Sequence, residues 1–170
     1  MRALRLVAWG VLLIVIDVRV DGLDLAPDLL GWGLAGYAVV GLRAHSAWFG
    51  RAGIVCIAGA LSALFDLQQA ADPMSWVWLV GTVALTAFVW CSCSGIREAL
   101  PGTPSARTAD TIRWWNLGLS VAAYPLGWVL SETDLAVVAL LAVLIALVVF
   151  VCFVLLLFRT ARVAAPVAVA

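Results

Sequence analysis

The stretch from Leu135 to Phe158 is the feature that most limits how this chain can fold. It contains 24 consecutive residues without a charge or a strongly hydrogen-bonding side chain. A helix crosses the hydrocarbon core of a bilayer in about 20 apolar residues. The stretch therefore predicts a transmembrane helix and directs the interpretation of the rest of the sequence.

The overall composition also favours a membrane protein. Of 170 residues, 65% are hydrophobic and 12% are charged, and the mean hydropathy is +1.12. A water-soluble domain of this composition would lack the polar surface needed to cover its core. A disordered chain needs low hydrophobicity, and a nucleic-acid-binding domain needs a basic excess, whereas ten arginines here balance ten acids. We therefore expect an integral membrane protein whose main partner is the lipid bilayer, with no nucleic-acid partner.

Further apolar stretches precede this one, each bounded by charges or by glycine and proline. Together they predict an all-α, polytopic membrane bundle of six transmembrane helices arranged as three hairpins. The predicted spans are residues 4–20, 25–42, 52–67, 76–96, 114–130 and 135–158. Pro101 and Pro104 predict a cytoplasmic loop over residues 97–113. Residues 1–158 are expected to form a single domain, followed by a short cytoplasmic tail over residues 159–170.

The positions of the arginines predict the orientation, because Lys and Arg concentrate in cytoplasmic loops. With both termini cytoplasmic, nine of the ten arginines lie inside and only Arg19 lies outside. The acids show the opposite pattern, since only Glu98 and Asp110 lie inside. Eight acids are expected outside: Asp17, Asp21, Asp24, Asp28, Asp66, Asp72, Glu132 and Asp134. The zero net charge is thus predicted to be a basic inner face balanced by an acidic outer face.

The basic residues also suggest a source. All ten are arginine, and the chain is rich in alanine, glycine, leucine and valine. This bias is typical of a GC-rich bacterial genome, so the expected location is the bacterial plasma membrane.

The polar residues of the first hairpin form the best candidate site. Asp17, Asp24, Asp28 and Asp66, with the lone external Arg19, are predicted to line an outward-facing polar mouth that could hold a cation or a polar solute. A structural explanation competes with this one, because Asp24 can cap the second helix and Asp28 lies near the positive end of its dipole.

The segment from Gly22 to Trp32, with the sequence Gly-Leu-Asp-Leu-Ala-Pro-Asp-Leu-Leu-Gly-Trp, follows Asp17-Val-Arg. It resembles a first-hairpin motif of small multi-pass bacterial membrane proteins to which no activity is assigned. The likeness covers only the first hairpin, about a fifth of the chain. It implies a recurrent architecture and no mechanism.

Catalytic motifs are not evident in the sequence. The single histidine, His45, lies in a predicted cytoplasmic turn, and no nucleophile elbow, paired-histidine zinc motif or phosphate-binding glycine loop is present. Cys91 and Cys93 point about 200° apart on a helix, so they are interpreted as small apolar residues and not as metal ligands. We expect no catalytic residue, no metal and no cofactor.

Two functions remain open from the sequence. The first is a non-enzymatic membrane scaffold or partner subunit that forms a homo-oligomer or binds other membrane subunits. The second is a small solute or ion transporter or channel, oligomeric, with the acidic mouth facing outward. A solid apolar centre would favour the first, and a polar path inward past Thr82, Thr86 and Ser120 would favour the second.

Overall fold

The computed structural model describes residues 2–15, 19–20, 23–24, 28–66, 76–132 and 136–163. Within these ranges the chain is helical apart from one short strand pair and the connections at residues 41–46 and 100–103. The helices are α1 (Arg2–Val15), α2 (Asp28–Val40), α3 (Ala47–Asp66), α4 (Trp76–Ala99), α5 (Pro104–Glu132) and α6 (Ala136–Val163). The prediction of six helices and an all-α class is therefore confirmed at this level.

A two-residue antiparallel pair interrupts the helical pattern between α1 and α2. Strand β1 (Arg19–Val20) pairs with β2 (Leu23–Asp24), and Arg19 lies opposite Asp24. The predicted first and second spans are shorter than expected as a result, because α1 ends at Val15 and α2 begins only at Asp28. Asp24 belongs to β2, and residues 25–27, which join it to α2, lie outside the described residues, so its role as the cap of α2 stays a prediction.

Three of the described helices, not six, are long and apolar enough to cross a membrane. These segments are Ala47–Phe65, Leu79–Ala99 and Leu140–Arg162. Helices α1 and α2 have 14 and 13 residues, which is less than the roughly 20 residues that a bilayer requires. Helix α5 has 29 residues, but the charged and amide side chains of its first half lower its hydropathy.

The connection between α4 and α5 is much shorter than the predicted loop over residues 97–113. Helix α4 continues to Ala99 and α5 begins at Pro104. The hydroxyl of Thr103 accepts a hydrogen bond from the Ala106 amide at 3.2 Å and donates to the Leu100 carbonyl at 2.7 Å. Proline is favoured in the first turn of a helix because it has no amide hydrogen to leave unpaired. Thr103 and Pro104 therefore start a helix where the sequence analysis expected a loop.

Two other boundaries differ from prediction for similar local reasons. Helix α3 begins at Ala47 and not at residue 52, because the Ser46 hydroxyl accepts a hydrogen bond from the Trp48 amide at 3.1 Å. Helix α6 continues five residues past 158 to Val163, and Thr160 and Ala161 are buried within it. The predicted tail therefore begins as helix.

Each helix packs on the next one along the chain, and α6 also packs on α1. The indole of Trp9 meets the ring of Phe158 edge-on, with ring centroids 6.0 Å apart. The Ser46 hydroxyl donates to the Glu98 carboxylate at 2.7 Å, which ties the α2–α3 turn to the end of α4.

Glycines allow a close crossing of α1 and α2. A Cβ on Gly10 would lie 2.8 Å from the Gly31 carbonyl oxygen, and a Cβ on Gly31 would lie 2.7 Å from the Gly10 oxygen. Helices α1 and α2 thus meet backbone to backbone, as small residues allow at transmembrane helix interfaces.

The centre of the described core is filled by an aromatic contact between α2 and α4. Trp32 meets Phe88 edge-on, with ring centroids 5.9 Å apart, and both side chains are buried. The Trp32 ring lies directly over Gly59 of α3, where a Cβ would approach to 2.4 Å. Three helices therefore meet at one indole.

Candidate functional site

The predicted polar mouth falls mostly outside the described residues. Asp17 lies outside them, as do the side chains of Arg19, Asp24 and Asp66. The structure brings the backbones of Arg19 and Asp24 together in the strand pair, and it places Asp28 at the half-buried start of α2 and Asp66 at the end of α3. The mouth stays a prediction.

A second group of charges, which the sequence analysis assigned to the cytoplasmic loop, forms a defined cluster between α4 and α5. We call Arg97, Asp110 and Arg113 the arginine cluster. The Asp110 carboxylate accepts hydrogen bonds from Arg97 Nη1 at 3.0 Å and contacts Arg113 Nη2 at 2.6 Å. One carboxylate thus serves two guanidinium groups, and the cluster carries one positive charge in excess.

The two arginines of the cluster differ in their surroundings. About half of the Arg97 side chain is exposed, whereas only 10% of the Arg113 side chain is exposed. Arg113 Nη1 donates to the Ser94 hydroxyl of α4 at 3.3 Å. Burying a guanidinium is costly unless it is paired and hydrogen-bonded, and Asp110 and Ser94 supply both conditions here.

Two indoles surround the buried guanidinium. Its central carbon lies 4.8 Å from the centroid of the Trp90 ring and 5.6 Å from that of Trp114. The two indoles meet edge-on at 5.0 Å. Cation–π contacts at these distances stabilise a charge that has been removed from water. A charged side chain is thus a partner of Trp90 at this contact between α4 and α5.

Polar side chains continue from the cluster along the contact between α4 and α5. Thr86 Oγ1 donates to the Thr82 carbonyl at 2.8 Å and lies 2.7 Å from the Ser120 hydroxyl. Asn116 lies on α5 between Ser120 and the cluster. We call Ser94, Thr86, Asn116 and Ser120 the α4–α5 seam. Interhelical hydrogen bonds of this kind hold membrane helices together, so the seam has a structural role whatever else it does.

Two buried donors at this contact have no hydrogen-bond partner among the described residues. They are Arg113 Nε and Asn116 Nδ2. Both lie on α5 three residues apart, a spacing that places side chains on the same helix face. One unpaired donor therefore belongs to the arginine cluster and one to the seam.

Helix α6 presents the largest exposed apolar surface of the described chain. Only 22% of its membrane-length segment is buried, compared with 50% for that of α4. We call the exposed apolar side chains of its first part the α6 outer face. They include Val137, Leu140, Leu141, Val143, Leu144, Leu147, Val148 and Val151. A continuous apolar surface of this size marks contact with lipid or with another protein.

The cysteines divide between the core and the α6 surface. Cys56, Cys91 and Cys93 are buried and Cys152 is exposed, and all four are free thiols. Within the described ranges, no group of three His, Cys, Asp or Glu residues is arranged to hold a metal ion.

The arginine cluster could have been found from the sequence by a different argument. Asp110 and Arg113 have the i, i+3 spacing of a helical ion pair, and Thr103-Pro104 is a helix-start signal. A helix that begins at residue 104 includes Arg113, so its side chain could have been predicted to lie on a helix and not in a loop. The partner residues Arg97 and Ser94 depend on tertiary packing and have no local signal.

Comparison with known proteins finds no relative of this chain. No family model matches the chain, and neither a curated protein nor a solved structure matches it.

Proposed function

We propose that the chain is a multi-pass integral membrane protein that acts without catalysis, as a scaffold or partner subunit offering the α6 outer face to another membrane-embedded chain. The exposed apolar surface of α6 carries this proposal. Membrane location is supported by three helices of sufficient length and apolarity. The location in a bacterial plasma membrane, the three hairpins and the cytoplasmic termini are part of the proposal, and they rest on the composition and the arginine distribution.

The filled centre of the described core supports a scaffold over a single-chain transporter. Trp32, Phe88 and the glycines beneath them leave apolar atoms in contact where α2, α3 and α4 meet. Solute passage through a monomer would need polar groups along such a path. A packed apolar centre suits a protein that works through its outer surface.

Cross-linking through Cys152 tests the proposed use of α6. This thiol is exposed on α6, whereas the other three cysteines are buried, so a membrane-permeable bis-maleimide should react selectively. In intact cells we expect a covalent adduct at the mass of two copies or of one copy plus another membrane chain. The Cys152→Ser variant is the matched control and should give no adduct. The wild-type chain remaining monomeric under these conditions, and by native mass spectrometry from mild detergent, would contradict the proposal.

The second candidate function, a small transporter or channel, draws on the α4–α5 seam. Its hydroxyl and amide groups lie between two helices, and the amide nitrogen of Asn116 has no hydrogen-bond partner among the described residues. A scaffold needs the seam only as contact between helices, whereas a transporter needs it to admit water.

Cysteine accessibility distinguishes these two functions. Thr86→Cys and Ser120→Cys would be introduced separately into a chain whose native cysteines are replaced by serine or alanine. A scaffold predicts that neither thiol reacts with a membrane-impermeant methanethiosulfonate reagent in sealed vesicles. Rapid labelling of both positions would favour the transporter. A cysteine at exposed Arg107 is the positive control for reagent access on its side of the membrane.

A further inference from the structure

An apolar groove of about 820 Å³ runs along the surface where α1, α2 and α3 meet. Its volume falls in the usual range for small-molecule sites, about 300–1,000 Å³. We call it the α1–α3 groove. Glycines and an alanine form its floor and the exposed side chains of Tyr37 and Ile57 stand at its edge. The small residues that line it are Gly33, Gly36, Gly41, Gly53 and Ala60.

The groove is elongated and runs along the helices. Its lining on α2 extends from Trp32 to Val40, a distance of about 12 Å at the α-helical rise per residue. Apart from Arg2 and the phenol of Tyr37, its side chains are apolar or absent. A long, narrow and apolar site at the surface of a membrane helix bundle matches the shape and polarity of a hydrocarbon chain.

One end of the groove is positively charged. Arg2 lines the groove at the end where Gly41 lies, and Arg43 follows two residues after Gly41. Helix α1 contains no Asp or Glu, and the only acids of α2 and α3 are Asp28, where α2 begins, and Asp66, where α3 ends. The nearby Glu98 of α4 accepts a hydrogen bond from Ser46 of the adjoining turn. The charge at this end is therefore complementary to an anion.

We propose that the α1–α3 groove binds an anionic phospholipid, with one acyl chain lying along the groove and the phosphate beside Arg2 and Arg43. The apolar length of the groove would hold the acyl chain, and its basic end would hold the headgroup. The proposal rests on the membrane location in the proposed function and does not depend on the role of α6. A zwitterionic lipid could fill the groove but would gain less from its basic end.

A lipid fits the groove better than a second copy of this chain. The groove combines a narrow apolar floor with cations only at one end, an asymmetry that a phospholipid shares. A second copy would have to place one of its exposed helix faces in the groove. The α6 outer face is apolar, and residues 137–151 contain no Asp or Glu that could pair with Arg2.

Lipid titration followed by native mass spectrometry tests the proposal. The full chain in detergent is titrated with phosphatidylglycerol or with phosphatidylcholine of identical acyl chains. We expect one phosphatidylglycerol to bind at least about fivefold more tightly than phosphatidylcholine, since a basic side chain at a membrane surface contributes roughly that factor. Arg2→Gln should remove about that factor for phosphatidylglycerol and leave phosphatidylcholine unchanged.

A matched pair of glycine variants tests the location. An ideal Cβ at Gly33 or at Gly118 meets nothing within 4 Å, so a side chain at either position begins in open space, but of the two only Gly33 lines the groove. Gly33→Leu should weaken the binding of both lipids severalfold, and Gly118→Leu should bind as the wild type does. Circular dichroism melts identify a variant that fails to fold, and the exposed Arg2→Gln variant keeps the test decisive in that case.

Three results would overturn the proposal. Equal affinity of the wild type for the two lipids would remove the anionic preference. Unchanged lipid binding by Gly33→Leu would remove the groove as its place. A protein dimer that Gly33→Leu dissociates, with no lipid adduct, would assign the groove to a second copy. Extraction of the wild-type chain from cells without detergent would instead contradict the membrane location, so the two failures are distinguishable.

Discussion

The Arg113 guanidinium lies 2.6 Å from the Asp110 carboxylate, one helical turn earlier on α5, and the same carboxylate accepts a hydrogen bond from Arg97. The two arginines depend on Asp110 to different degrees. Arg97 is half exposed and water can replace its partner, whereas Arg113 is nine-tenths buried. Loss of Asp110 would leave a buried cation with only the Ser94 hydroxyl and two indole faces as neighbours.

This asymmetry predicts unequal costs for removing the members of the arginine cluster. Asp110→Asn should lower the free energy of unfolding by about 2 kcal/mol, less than for a fully buried pair because Asp110 is partly exposed. Arg97→Gln should cost about 0.5 kcal/mol or less, as for other exposed pairs. Arg113→Met removes the buried charge itself and should cost less than Asp110→Asn. Unfolding of the three variants by SDS titration in mixed micelles measures these differences, and an Arg97→Gln effect as large as that of Asp110→Asn would contradict the assignment.

The contact between Trp32 and Gly59 gives a second prediction. A Cβ at Gly59 would lie 2.4 Å from the indole, which is buried between α3 and Phe88 of α4. Gly59→Ala should therefore destabilise the protein by about 1–3 kcal/mol through overpacking. Gly50 of the same helix has open space around its Cβ position, so Gly50→Ala should be neutral or stabilising by up to about 1 kcal/mol. Thermal melts in one detergent compare the two variants. Equal melting temperatures would show that the Trp32 side chain can shift to make room for the new methyl group without a loss of stability.

The sequence predicted which helices the chain forms better than where those helices begin and end. Long apolar runs made α4 and α6 evident, because length and hydropathy are local properties. The boundary of α5 was missed because proline was interpreted as a helix breaker, whereas Thr103 and Pro104 form a helix start. The burial of Arg113 was missed with it, since a loop arginine is expected to face water.

The candidate site was predictable only in part for a different reason. Arg19 and Asp24 could be placed together because they are close in the sequence, and they lie opposite each other in the strand pair. The contacts of Arg113 with Trp90 and Ser94 join α4 and α5 across a turn, and their register depends on how tightly the turn closes. The α1–α3 groove likewise depends on small residues from two helices facing the same side, which composition alone does not show.

The helix start at Thr103 gives a third prediction. Its hydroxyl bonds the Ala106 amide and the Leu100 carbonyl, and it stands directly before Pro104. Thr103→Ala should lower the free energy of unfolding by about 1 kcal/mol, and Thr103→Ser should lower it by much less because serine keeps the hydroxyl. Amide hydrogen exchange should locate the loss in the first turn of α5, where Ala106 would exchange faster. Equal exchange of Ala106 in the two variants would mean that Pro104 alone fixes the start.

Thiol reactivity gives the fourth prediction, which concerns the outward direction of α6. Cys152 is exposed on α6, and Cys56, Cys91 and Cys93 are buried. In detergent, where the surface of α6 is accessible to small molecules, N-ethylmaleimide should modify one thiol quickly and three slowly. Intact-mass measurements over time should show a single early adduct that Cys152→Ser abolishes. Adding SDS should make all four react, because unfolding exposes the core. Early modification of two or more thiols in the folded protein would mean that α3 and α4 do not pack as described, and slow reaction of Cys152 would mean that a stable partner already covers α6 after purification.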